Sequence, residues 1–166
     1  MFHLKKAASL IAIAMICSLM ALAVPALHAQ SAYAASDHTA VAAVSCTYDG
    51  CNGKSPVSTG CSSTTVVTHQ AAFSSHGGGY TEFVFSATCH AAWGFIHFNS
   101  AMASGHTGDA GIANDNGAVY LCEDGNGVVA PGQTSCYTAM VGDGPSETAW
   151  ATGFYDTTLL SQTAAY

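Results

Sequence analysis

The sequence predicts an all-β fold: a single small antiparallel β-barrel or sandwich of six to seven short strands, stapled by disulfides and preceded by an N-terminal signal helix. Three observations carry this. The chain breaks into short β-rich runs separated by Gly, Asn and Asp clusters, no helical periodicity lasts three turns beyond the first segment, and the cysteines left after that segment are even in number.

The first segment reads as a targeting signal. Lys5 and Lys6 precede an uncharged apolar run from Ala7 to Val24, then Pro25 and a small-residue stretch ending SAYAAS, which is the layout of a secretory signal peptide. Ala32 and Ala34 satisfy the small-x-small rule for cleavage after Ala34, with Ala29 as the alternative. Residues 1–34 are therefore set apart as the signal peptide, residues 35–45 as a flexible lead-in, and 46–166 as the β domain. Left uncleaved, the run of eighteen would just span a bilayer and would be the chain's membrane contact.

The remaining 132 residues suit one domain with a real core. Lys54 is then the one basic side chain, there is no Arg, and all ten Asp and Glu remain, for a formal charge of −9. Nucleic acid is excluded as a partner, because phosphate binding depends on clustered Lys and Arg. Six cysteines remain: Cys46, Cys51, Cys61, Cys89, Cys122 and Cys136. In an oxidising compartment they predict three disulfides, and the spacings lack the C-x-x-C pairs of a thiolate zinc site. Cys122 with Cys136 is the favoured pair, since the loop EDGNGVVAPGQTS between them carries Gly and Pro turns, and closing it contributes about 3 kcal/mol. The pairing of the other four stays open.

Candidate strands are 64–73, 80–86, 91–98, 117–122, 136–141 and 148–154. The second alternates Thr81, Phe83 and Phe85 against Glu82, Val84 and Ser86, a strand with one wet face. Between the runs stand SHGGG, ASGHTGDAG, NDNG, EDGNG, APGQ and GDGPSE, rich in residues that accept positive φ or build Asx turns.

The succession CTYDGCNGKSP, then FVFSATCHAAWGFI, then CYTAMV resembles the family of small exported actinobacterial-type domains known as domain of unknown function 2690. The specific part is Gly53, Lys54 and Pro56 after Cys51, joined to Trp93 four residues after Cys89. The resemblance implies an extracellular β-rich domain with cysteine pairs and no established catalytic activity. Some relatives carry such a domain outside a membrane span with a helix-turn-helix domain inside, which implies sensing or binding. Where relatives place Arg two residues after the Trp, this chain has Phe95, so no ligand contact of that Arg carries over.

Chemical motifs are sparse. HGGG at His76–Gly79 matches the oxyanion string of lipases, but that chemistry needs a G-x-S-x-G elbow and βα alternation, and the chain has neither. Three glycines between apolar runs read as a hairpin turn joining Phe73 to Tyr80. Histidines 38, 69, 76, 90, 97 and 106 raise a transition-metal reading centred on His90, His97 and His106, against which stands the absence of ligand spacing. Asp109 and Asp115, with Asn114 and Asn116, offer hard oxygens for Ca2+ without the complete loop motif. Glu82, Glu123 and Glu147 are scattered and show no carboxylate pair for glycosidase chemistry. Trp150, with Tyr137, Phe154 and Tyr155 nearby, suggests an aromatic platform for a sugar or peptide. The sequence therefore favours a secreted, non-catalytic binding or sensing module for an extracellular ligand, carbohydrate or peptide, with no cofactor other than Ca2+ in view. The alternatives are a small extracellular hydrolase using His and carboxylates, and a structural envelope component. A concave pocket with converging His, Asp or Glu would favour the hydrolase, and a flat aromatic patch the binding module.

Overall fold

The structure is a computed structural model that describes residues 43–166. Residues 1–34, expected as the signal peptide, most of the expected lead-in and His38 lie outside the described residues. Within them the chain forms two antiparallel sheets packed as a sandwich. The first sheet runs β1 (Thr65–Phe73), β2 (Gly79–Ser86), β3 (Ala91–Phe98), with β6 (Ser135–Tyr137) and β7 (Val141–Gly142) sharing the far side of β3. The second runs β5 (Val119–Leu121), β4 (Gly108–Asn114), β8 (Ala149–Tyr155), β9 (Thr158–Gln162).

The HGGG stretch is the β1–β2 turn. Phe73 pairs with Gly79 and Ala72 with Tyr80. Gly77 and Gly78 have φ of 86° and 78°, in the left-handed region where a Cβ is penalised. A strand, not a helix, begins at Gly79.

Period-two alternation decides which side chains enter the core. Phe83, Ala92, Ile112, Val141, Ala149 and Ala151 form one buried cluster between the sheets. Ile96, Phe98, Met102, Ala110, Val129 and Cys136 belong to a second. Full burial of side chains such as Phe83, Phe98 and Ile96 contributes about 1.5–3 kcal/mol each. A third cluster lies on the opposite face of the first sheet, where Val84, Ala91, Trp93 and Met140 meet Cys46, Cys51, Cys61 and Cys89. The segment before β1 thus roofs that sheet, and β3 is buried on both faces. This is why AAWGFIHF reads as a continuous apolar run rather than an alternating one.

Disulfides hold the roof. Cys46 is joined to Cys51 and Cys61 to Cys89, with Cα separations of 5.2 and 5.8 Å, so the segment is tied to the β2–β3 turn. Cys122 is joined to Cys136 at a Cα separation of 6.0 Å, linking the end of β5 to β6 across the sandwich.

Four strand boundaries differ from the sequence expectation. β4, GDAGIAN, was expected as turn because Gly, Asp and Ala have low strand propensity, yet it is the centre of the second sheet. Its small residues are needed there. A Cβ on Gly94 of β3 would stand 2.7 Å from the carbonyl oxygen of Gly111 in β4, so the two backbones approach more closely than any larger residue permits. The run 117–122 shortens to β5, the run 136–141 divides into β6 and β7, and β9 follows β8 through a turn with Asp156 at φ 52°.

Candidate functional site

The outer face of the second sheet carries no covering segment among the described residues. On β8, Ala149, Ala151 and Gly153 point into the sandwich and are buried, which turns Trp150, Thr152 and Phe154 outward. Cross-strand register supplies their neighbours. Val119, Ala113 and Trp150 form one row, Leu121, Gly111, Thr152 and Gln162 the next, and Asp109, Phe154 and Leu159 a third. Val119 is 61%, Leu121 37% and Leu159 53% exposed, so the face is a wet apolar plane in which a hydroxyl separates two aromatic rings. Its one carboxylate, Asp109, is half-buried and accepts the Cys122 N–H at 3.0 Å. Burial raises the Asp109 pKa above the usual carboxylate range, against the lowering effect of that hydrogen bond.

Of the aromatic residues grouped with Trp150 in the sequence, only Phe154 shares this face. Tyr155, one residue on, belongs to the end of the sandwich, where its ring stacks on His76 at 3.8 Å and lies 5.0 Å from His106. Tyr137 stands on the roofed side of the first sheet, where it lines an open groove of about 280 Å³ with Pro56, Trp93, Phe95 and Glu82. Trp93 is 5% exposed and Pro56 is buried, so these motif residues anchor the roof. Gly53 and Lys54 do the same through backbone: Gly53 N–H donates to Met140 at 3.0 Å, and Lys54 carbonyl accepts from Met140 N–H at 2.9 Å.

The structure places the metal-reading residues apart. His97 packs on Tyr80 at 5.2 Å on the roofed sheet, and burial raises the Tyr80 pKa. His106 Nδ1 lies 2.9 Å from Asp156 Oδ2, a hydrogen bond that, with the Thr107 N–H, lowers the Asp156 pKa. Asp109 and Asp115 sit at opposite ends of β4, and Asp115 accepts the Thr148 N–H at 3.2 Å as turn chemistry. Among the described residues, the two clusters whose three Cys or carboxylate atoms gather within 4.8 Å are Cys46, Cys51, Cys61 and Asp109, Cys122, Cys136. All five sulfurs are in disulfides and offer no thiolate.

His90 is different. It precedes β3 with φ at 48°, stacks on Tyr48 at 4.5 Å, and faces a cavity with Asp143 and Glu147, neither of which the sequence connected to it. His90 lies on the β2–β3 turn, and Asp143 and Glu147 lie together on the loop between β7 and β8, about fifty residues further along the chain, so no local pattern joins the histidine to the two carboxylates.

Comparison with known proteins adds kinship. The family described as Protein of unknown function (DUF2690) matches residues 49–152. The chain is similar to Uncharacterized protein YjfA of Bacillus subtilis (strain 168), 42% identical over 80 residues, which are 46% of this chain and 51% of that protein. The chain thus spans about half the length of this curated relative. No solved structure matches it.

Proposed function

Because the chain belongs to the DUF2690 family of proteins of unknown function, its role has to be read from its surfaces, and we propose that it is a secreted, non-catalytic module that binds a neutral carbohydrate on the outer face of the second sheet. The observation that carries this reading is the row Trp150, Thr152, Phe154, ring, hydroxyl, ring, on an open sheet face. The electron-rich face of an aromatic ring attracts the weakly positive C–H face of a sugar, and the intervening hydroxyl supplies a hydrogen bond. Val119, Leu121 and Leu159 extend the plane without adding charge. A polyanion is disfavoured by the net charge, and the face offers a cationic polymer only the Asp109 carboxylate, which is turned to Cys122 N–H. Export is supported by the signal-like N-terminus together with the three disulfides.

The test is retention on insoluble neutral polysaccharides. The protein is expected to be depleted from solution by at least one of them, and Trp150→Ala to release it, since an aromatic anchor of this kind carries about 2 kcal/mol of binding. Equal retention of Trp150→Ala, or retention only on charged polymers, would refute the reading.

A further inference from the structure

At the end of the sandwich where the β2–β3 turn meets the loop between β7 and β8, a cavity of about 470 Å³ is lined by Phe85, His90, Asp143, Glu147 and Tyr166 among others. Asp143 is 7% exposed, and among the described residues no hydrogen-bond donor is placed on its carboxylate; His90 is the group nearby whose positive charge, when it carries one, favours the ionised form. The Asp143 N–H is engaged with the His90 carbonyl at 3.0 Å. Among the described residues no side-chain polar atom is both sealed from solvent and without a partner, so the Asp143 oxygens open into the cavity, whose walls strip most of the water from the charge and favour a cation beside it. Lys54 is the one Lys or Arg among the described residues, and it forms no ion pair there.

The surroundings favour a cation from outside. Glu147 adds negative charge, but both its oxygens are held, one by Asn116 and the other by the Gly144 N–H at 2.9 Å. Asp143 alone has oxygens free. Rings form the remaining wall: Phe85 and Tyr166 lie 5.3 Å apart, and His90 is held edge-on to Phe85 at 6.4 Å by its parallel stack on Tyr48. Aromatic faces beside a carboxylate favour an organic cation over a strongly hydrated ion. The ligand atoms of this cluster also do not gather closely enough to hold a metal. No Ser, Thr or Cys lines the cavity, so an acyl-transfer nucleophile is missing.

We propose that this cavity binds a primary ammonium group on an aliphatic or peptide stem, with Asp143 as its ion-pair partner and Phe85 and Tyr166 against the stem. Two sources share this chemistry, a lysine-type side chain and a peptide N-terminus. The site is independent of the carbohydrate face, so Asp143→Asn should leave polysaccharide retention unchanged.

Calorimetric titration of the purified protein with Nα-acetyl-lysine amide and with an alanine-terminated peptide amide tests both sources, with the norleucine analogue as neutral control. Binding of either amine at pH 8, at least tenfold weaker for the control, is expected. Asp143 protonates as pH falls through about 6, so affinity should drop about tenfold or more by pH 4.5. His90, Glu147, Asp115, and Asp49 and Tyr48 of the 3-10 turn packed against β7, also bear on this region. Asp143→Asn separates them: it should lose at least tenfold in affinity at pH 8 and lose the pH dependence. The proposal is overturned by equal affinity in Asp143→Asn, by a pH dependence that survives the substitution, or by Ca2+ binding through Asp143 where neither amine binds.

Discussion

Replacing Asp143 by Asn should stabilise the fold, and by an amount that depends on pH. Burial, with Glu147 nearby and partly offset by His90, raises the Asp143 pKa from 3.8 to about 6. At about 1.4 kcal/mol per unit, ionising this group in the folded state costs at most about 3 kcal/mol, and screening by water in the open cavity reduces that to about 1–2 kcal/mol. The folded protein holds the proton more tightly than the unfolded chain, so this contribution to stability is lost as pH rises from about 4 through about 6 and stays lost above. Asn carries no titrating proton. Urea unfolding followed by tryptophan fluorescence should therefore find Asp143→Asn more stable by about 1–2 kcal/mol at pH 8, the difference vanishing near pH 3.5. Asp109, with its raised pKa, and Asp156, with its lowered one, titrate in both proteins and cancel in the difference. A saturating alkylamine at pH 8 should narrow the gap, because it stabilises only the form that binds it. A difference independent of pH, or an Asn variant less stable at pH 8, would show that Asp143 is not an unpaired buried charge.

Three other outcomes can be measured. Replacing Cys122 and Cys136 together by Ala should lower stability by about 3 kcal/mol in urea unfolding, the chain-entropy contribution of a crosslink spanning 14 positions. Gly94→Ala should cost about 1–3 kcal/mol, since the new methyl group meets the Gly111 carbonyl of the facing sheet; an unchanged midpoint would mean the sheets can separate freely. Trp150→Ala, on the outer face, should change stability by less than about 1 kcal/mol while polysaccharide retention falls at least tenfold, which separates a binding residue from a core residue.

Much of the fold could be read in the chain because period-two alternation is local. The runs 80–86 and 91–98 coincide with β2 and β3 to within a residue, and the HGGG turn follows from glycine chemistry between two apolar runs. β4 escaped because its Gly and Ala content marks close approach of the sheets, and that requirement is visible only once Gly94 and Gly111 face each other. The aromatic platform was half legible. Trp150 and Phe154 are four apart on one strand and share a face, whereas Tyr155 is displaced by one residue and Tyr137 belongs to the other sheet.

By itself, then, the sequence determined the all-β class and the alternating core, because these depend on neighbours along the chain. Its composition also set the charge: with Lys54 as the one Lys or Arg among the described residues, any buried carboxylate lacks such a partner unless Lys54 reaches it. Tertiary structure decided how Cys46, Cys51, Cys61 and Cys89 pair, which sheet face stays open, and that His90, Asp143 and Glu147 look into one cavity. Those three residues come from loops whose meeting depends on β7 and β8 entering different sheets, a non-local consequence of strand pairing that no window of sequence contains.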